Sequence, residues 1–308
     1  RNDAHRLIEE CMLCANGAAA QLLEKFEIPA LFRIHEGPSL EKLENTREFL
    51  SELDLYLGGG EKPSPLDYSQ LLRAVASRPD RHVLQTMLIR SMMQAVYRTD
   101  NIGHFGLGFS AYTHFTSPIR RYPDLLVHRA IRYLIRNKPS AHLQKKPESA
   151  KLSKKTIYPY GDAEMDRFGV ACSEAERRAD AASYSVIDWL KCEYMLEHVG
   201  NDFQGTITSV TSFGLFVELD DIHIEGLVHV AELSNDYYHF DPARHCLEGK
   251  RSKQVYRLGD RLEVKVMRVD LEEKQIDLEI KNSRSRNLKE NKSKKRSANT
   301  KKKFKDKK

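Results

Sequence analysis

The chain has 308 residues, 40% of them hydrophobic, with no run of the roughly 20 apolar residues that a membrane helix needs. Its net charge of +6 divides unevenly: residues 281–308 hold 14 Lys and Arg against 2 Asp and Glu, while the rest carries 36 basic and 42 acidic groups. Two domains fit this length; the start at Arg1-Asn2-Asp3 has no signal-peptide pattern and, without a methionine, points to a piece of a longer protein.

In chain order, residues 4–25 space Leu7, Ile8, Met12, Ala15, Ala19, Leu22 and Leu23 along an alanine-rich helical face. Cys11 and Cys14 form a Cys-x-x-Cys in that helix, without the second pair or the histidine pair that zinc asks for. They are expected as buried or half-buried free thiols. With Cys172, Cys192 and Cys246 they make five scattered cysteines, the usage of a reducing, cytoplasmic protein. Helical spacing recurs at 39–57, 66–76, 81–96, 123–136 and 172–198, with Gly58-Gly59-Gly60 and Pro63-Ser64-Pro65 separating the first two of these. Residues 137–163, polar, lysine-rich and prolyl, read as a long loop.

The stretch "SAYTHFTSPIRRYPDLLVHRAI" (110–131) mixes rings with arginines, which neither a core nor a solvated surface takes together. Gly106–Phe115 is expected as a strand presenting Tyr112, His114 and Phe115. Thr116-Ser117-Pro118 is expected to start a helix, with a hydroxyl cap and proline at the first position. Arg120 and Arg121 would then fall in the first turn, where free N–H groups already make the helix end positive. Two arginines there imply an anion in front of them, phosphate foremost. Leu126, Ala130 and Leu134 carry the helix into the core, and Arg129 and Arg132 lie off that stripe. An arginine-rich helix paired with acidic neighbours is the plainer alternative.

Near Asn201 the period changes from 3.6 to 2, and five short strands follow in about 80 residues, the pattern of a small OB-type barrel. Phe213 and Phe216 flank Gly214-Leu215; strict alternation would put them on opposite faces unless Gly214 bends the chain. With His229 they are either a platform for stacked bases or ordinary core. The basic block after Lys281 is expected to be disordered and to attract polyanions, with a merely solubilising tail as the alternative.

Two resemblances rest on these residues. "GTITSVTSFGLFVELDDIHIEGLVHVAEL" and "LGDRLEVKVMRVD" resemble the OB-fold RNA-binding domain of the ribosomal-protein-S-one type over nearly all of 203–281. That resemblance implies an RNA-binding face of Phe213, Phe216, His229, Asp270 and Lys274. "YTHFTSPIRRYPDLLVHRAI", with "LIEECMLCAN", "HEGPSLEKL" and "CSEAERRAD", resembles the ribonuclease II superfamily of processive 3′-to-5′ exoribonucleases, and the likeness covers essentially the whole chain. It marks Arg120 as catalytic; beside it, Tyr112, His114, Thr116, Ser117 and Arg121 are expected to contact RNA. It also implies Mg²⁺ held by aspartates upstream of this chain; no Asp-x-x-x-Asp-x-Asp-Asp cluster occurs here, and Asp220-Asp221 stands alone in the barrel.

The resulting expectation is an α+β chain. Residues 1–199 would be the mostly helical C-terminal part of a ribonuclease II-type catalytic domain, 200–281 a five-stranded OB-fold β-barrel, and 282–308 a disordered lysine-rich tail. The whole protein would hydrolyse RNA from its 3′ end to nucleoside 5′-monophosphates, and this part alone would be inactive. Its partners would be single-stranded RNA and RNA 3′ ends, with ribosomal or structured RNA besides. It would be a monomer that does not bind a membrane. Two competing readings are a non-catalytic RNA-binding protein and a translation-associated barrel protein tethered to ribosomal RNA.

Overall fold

The computed structural model describes residues 1–78, 81–137, 158–233, 236–242 and 244–281. Most of the expected loop at 137–163 and all of the expected disordered tail lie outside them. The chain divides, within one helix, into two compact units, Arg1–Ser185 and Val186–Lys308. No described helix is long and apolar enough to cross a membrane.

The first unit is helical around a two-stranded ribbon. Helix α1 (Asp3–Lys25) starts at a reciprocal cap, in which Asn2 accepts the His5 N–H and His5 accepts the Asn2 N–H. Strand β1 (Phe32–Ile34) pairs antiparallel with β2 (Val96–Arg98). Between them lie α2 (Leu40–Ser51), α3 (Pro65–Ala74) and α4 (Arg81–Ser91). The Pro63-Ser64-Pro65 step acts as its composition suggests: Ser64 and Asp67 cap each other and Pro65 takes the first position. Helix α5 (Tyr122–Asn137) and the part of α6 (Asp162–Leu196) up to Ser185 complete the unit's elements. Its core gathers Leu23, Leu31, Leu126, Val127, Ala130, Leu134 and Met165. Each of the leucines is fully enclosed, a burial that contributes about 1.5–3 kcal/mol per side chain.

Three expectations change here. Cys11 and Cys14 are exposed free thiols, as are Leu7 and Ile8 exposed, because only the second half of α1 (Ala19, Ala20, Leu23) faces the core. Gly106–Phe115 is not a strand. Residues Phe105–Leu107 make a 3-10 turn that ends in Gly108 at φ 69°, a left-handed conformation that suits glycine. Nor does the helix begin at Ser117. The N–H groups of Arg120 and Arg121 both bond to the Ser117 carbonyl, closing a separate turn, and α5 begins after it. Pro123, lacking an N–H, sits at the second helical position, where no partner is needed.

The second unit closes a barrel from β3 (Asp202–Thr211), β4 (Gly214–Leu219), β5 (Glu225–His229), β9 (Arg261–Asp270) and β10 (Gln275–Ile280), in the order β10-β5-β4-β3-β9. All neighbours are antiparallel except β10 and β5. Inward residues such as Ile207, Leu215, Val217, Val228, Val264 and Val266 are fully buried, the period-2 pattern made physical. Between β5 and β9 the chain adds a three-stranded sheet, β6 (Tyr238–Asp241), β7 (Cys246–Gly249) and β8 (Val255–Arg257), which the sequence pattern does not announce.

Candidate functional site

In the first unit, residues 111–121 form an extended segment and a turn whose shape is set by buried polar side chains. Asn16, buried on α1, donates to the Tyr112 hydroxyl (2.9 Å) and accepts from the N–H groups of Phe115 (2.9 Å) and Thr116 (3.2 Å). The Tyr112 carbonyl accepts from Arg33 N–H (2.9 Å), and Thr113 Oγ1 donates to the Leu31 carbonyl (2.6 Å). Asp124, in the first turn of α5 and 0% exposed, accepts from Ser117 N–H (2.7 Å) and from Arg121 Nη2 (2.9 Å). A buried carboxylate needs this pairing, because an isolated one would be too costly to keep charged.

The two arginines therefore part company. Arg121 is committed to Asp124, whereas Arg120 is exposed and its guanidinium makes no hydrogen bond or ion pair with any described residue. Thr116 Oγ1, Arg121 Nε and Asp124 Oδ2 are buried without a hydrogen-bond partner among the described residues, so this turn holds unspent polar capacity. His114 Nδ1 lies 2.7 Å from the Tyr97 hydroxyl. Burial, reinforced by Arg121 and Arg33, pushes the His114 pKa down to about 3; burial likewise keeps the Tyr97 phenol protonated. Tyr97 in turn carries the Arg33 guanidinium 4.6 Å over its ring, and Arg33 pairs with Glu176.

Tyr112 calls for a correction. It is 5% exposed, packed edge-on against His104 and His114, so its ring has no face to offer a base in this chain. It braces His114 instead. Phe115 stacks on His128 at 4.2 Å, an internal aromatic pair. Sequence reasoning missed Asn16, Asp124, Arg33 and Tyr97. A lone asparagine within an alanine-rich helical stripe was the available signal for the first.

In the second unit, Phe213 is 48% exposed and lies in the turn before β4, while Phe216 lies in the strand and is half-buried. Their rings meet edge to face at 5.9 Å. The alternation problem disappears because Phe213 is outside the strand. Gly214 is required for a different reason: a Cβ there would come within 2.3 Å of the Val228 carbonyl. Phe213, Phe216 and Lys274 line one open groove of about 360 Å³. His229, exposed, stands opposite Gly214 in the ladder and accepts from Ala231 N–H (3.2 Å).

Asp270 has another task. Its carboxylate accepts from the N–H groups of Glu272 and Glu273 (3.1 Å each) and from Arg268 (2.6 Å), and these bonds hold its pKa below the ordinary value. It thereby fixes the β9–β10 turn that delivers Lys274, itself at φ 53°. Neither His229 nor Asp270 lines the groove.

No grouping of three or more His, Cys, Asp or Glu among the described residues could hold a metal ion. The described residues do not fit a magnesium site.

The RNB domain profile matches residues 1–137 and the S1 RNA binding domain profile residues 197–281. Ribonuclease R of Vibrio parahaemolyticus is 54% identical over 280 residues, 91% of this chain and 33% of that protein. Ribonuclease R of Escherichia coli is 55% identical over 280 residues, 91% of this chain and 34% of that protein. The structure of Mycoplasma genitalium RNase R in complex with ribose-methylated single-stranded RNA superposes with a TM-score of 0.78 at 27% identity, covering 91% of this chain and 42% of that one. The chain thus spans about a third of the length of the curated relatives it matches. Over nine-tenths of its length the chain is similar to proteins named Ribonuclease R, with an RNB domain match at 1–137 and an S1 RNA binding domain match at 197–281.

Proposed function

We propose that this chain is the part of a 3′-to-5′ exoribonuclease that grips the RNA strand and stabilises charge on the scissile phosphate. The Ser117–Arg121 turn carries the reading: a partnerless, exposed Arg120 is held beside an arginine fixed on a buried carboxylate. When water attacks phosphorus and the bond to the upstream O3′ breaks, charge gathers on the non-bridging oxygens. A guanidinium can donate to two of them at once. Arg121, spent on Asp124, positions the turn, and Thr116 and Ser117 supply its backbone frame. His114, kept neutral, serves as a polar neighbour rather than a counter-ion.

The products would be nucleoside 5′-monophosphates, and the substrates single-stranded RNA and RNA 3′ ends. The solved RNase R complex with single-stranded RNA supports this choice. In the barrel, Phe213 and Phe216 would stack on bases while Lys274 meets phosphate; His229 is the adjoining polar group and Asp270 the residue that holds the turn. The working division is a catalytic part at 1–199, a barrel at 200–281 and a basic tail at 282–308, in a cytoplasmic monomer. Magnesium ligands, on this reading, lie in the upstream stretch that the relatives possess; the role given to Arg120 is charge stabilisation alone.

The test joins the chain to that upstream stretch. Arg120→Ala should then cut turnover by roughly 10²–10³ while RNA affinity changes far less. Arg121→Ala should instead lose stability, by about 3–5 kcal/mol if Asp124 stays charged and unpaired. An Arg120 variant losing affinity in step with turnover would make it a binding residue only. The 308-residue chain alone should leave 5′-labelled RNA intact in Mg²⁺, and a progressively shortening ladder would contradict that.

A further inference from the structure

The groove that holds Phe213, Phe216 and Lys274 has a further wall. Asp188, Lys191 and Cys192, from the last turns of α6, line it as well. All three precede residue 197, where the S1 match begins. Packing fixes them there, since Cys192 and Met195 are buried within the barrel's own hydrophobic core. Lys191 remains 40% exposed, and its ammonium lies 4.0 Å from Asp188, at the outer limit of an ion pair. Its charge is thus only weakly claimed by the protein. The groove combines an apolar lining that includes Leu227 and Ile276 with ammonium groups from two different elements, Lys191 and Lys274. A flat apolar surface beside positive charge is what a nucleobase and its own phosphate require together.

We propose that the end of α6 is a wall of the RNA groove, and that Lys191 holds a phosphate of the nucleotide whose base stacks on the Phe213–Phe216 pair. The barrel alone, with Lys274, is then an incomplete site, and the helix leading into it supplies a second cation. Asp188 opposes the same phosphate and tempers the contact. This inference rests on the reading of the barrel as an RNA-binding face.

The experiment measures binding of a fluorescein-labelled single-stranded oligonucleotide to the whole chain across a salt series, with a thermal melt on each variant. Lys191→Gln should melt like the parent and bind about two- to fivefold more weakly, the scale of one exposed ion pair. It should also flatten the slope of log affinity against log salt by about 0.7, one phosphate contact on a single strand. Asp188→Asn should bind more tightly than the parent. Phe216→Ala should weaken binding without changing the slope, because a ring neutralises no phosphate. If Lys191→Gln keeps the parent's slope while Phe216→Ala binds weakly, α6 is scaffold and the proposal fails alone. If Phe216→Ala and Lys191→Gln both bind like the parent, the RNA-face reading itself is overturned.

Discussion

His114 shows how far a single residue's role depends on what surrounds it. In sequence it is a histidine between two rings and two arginines, a natural partner for phosphate. In the fold, burial and the charges of Arg121 and Arg33 drive its pKa down to about 3, and His104 nearby falls to about 4, again chiefly through burial. In the unfolded chain both titrate near 6.5. Between about pH 6.5 and 3 the unfolded state therefore binds protons that folded His114 refuses, so stability is full above that window and is lost as pH falls through it. For His114 the slope is at most about 1.4 kcal/mol per pH unit. Urea unfolding at pH 7, 5.5 and 4.5 should show this decline, and His114→Gln should decline less steeply; parallel curves would show that His114 is not responsible. The sequence motif singles out Arg120 for a catalytic role, which the turnover of the Arg120→Ala variant tests. The buried bonds of Asn16 and Asp124 were not legible in the sequence, since polar residues at helical spacing do not reveal which of them will lose water.

At the scale of elements, the barrel strands were legible because alternation survives burial on one face, and α3 was legible because Ser-Pro-x-Asp encodes its own cap. The start of α5 was not. Ser-Pro looks like a cap followed by a first position, but the Asp124 carboxylate takes the Ser117 N–H and lets a separate turn close first, a contact seven residues away. The β6–β8 sheet escaped because its strands are three or four residues long and carry His, Glu and Arg beside their apolar positions. The Phe213–Phe216 pair yields an element-scale prediction. Phe213 sits in a turn with half its surface in water, so Phe213→Ala should leave the melting temperature nearly unchanged. It should weaken single-stranded RNA binding by about 1–3 kcal/mol, the value of one stacked base. Phe216, half-buried in β4, should lose both stability and affinity when truncated. A Phe213 variant that melts early yet binds normally per folded molecule would make that ring core and not platform.

Across the whole molecule, charge is the property that no single fold element explains. Residues 1–281 carry 37 basic and 42 acidic groups, so without the last 27 residues the chain's net field opposes a polyanion. The block after Lys281 reverses that sign. Each phosphate that it neutralises on a single strand should add about 0.7 to the salt slope of binding. Its lysines are too many for one short RNA to engage at once; with about four or five engaged, deleting 282–308 should flatten the slope by roughly 3 units. The association rate at low salt should fall as well, because steering depends on the summed charge. Base preference should not move, since the segment holds one aromatic residue, Phe304, and so offers no series of stacking surfaces. Binding to several homopolymers over a salt series separates these effects: the slopes should drop together and the order of preference should stay. An unchanged slope after deletion would leave the block a solubilising appendage. The grip on RNA would then rest on the barrel groove and the Ser117–Arg121 turn, which would have to overcome an unfavourable net charge unaided.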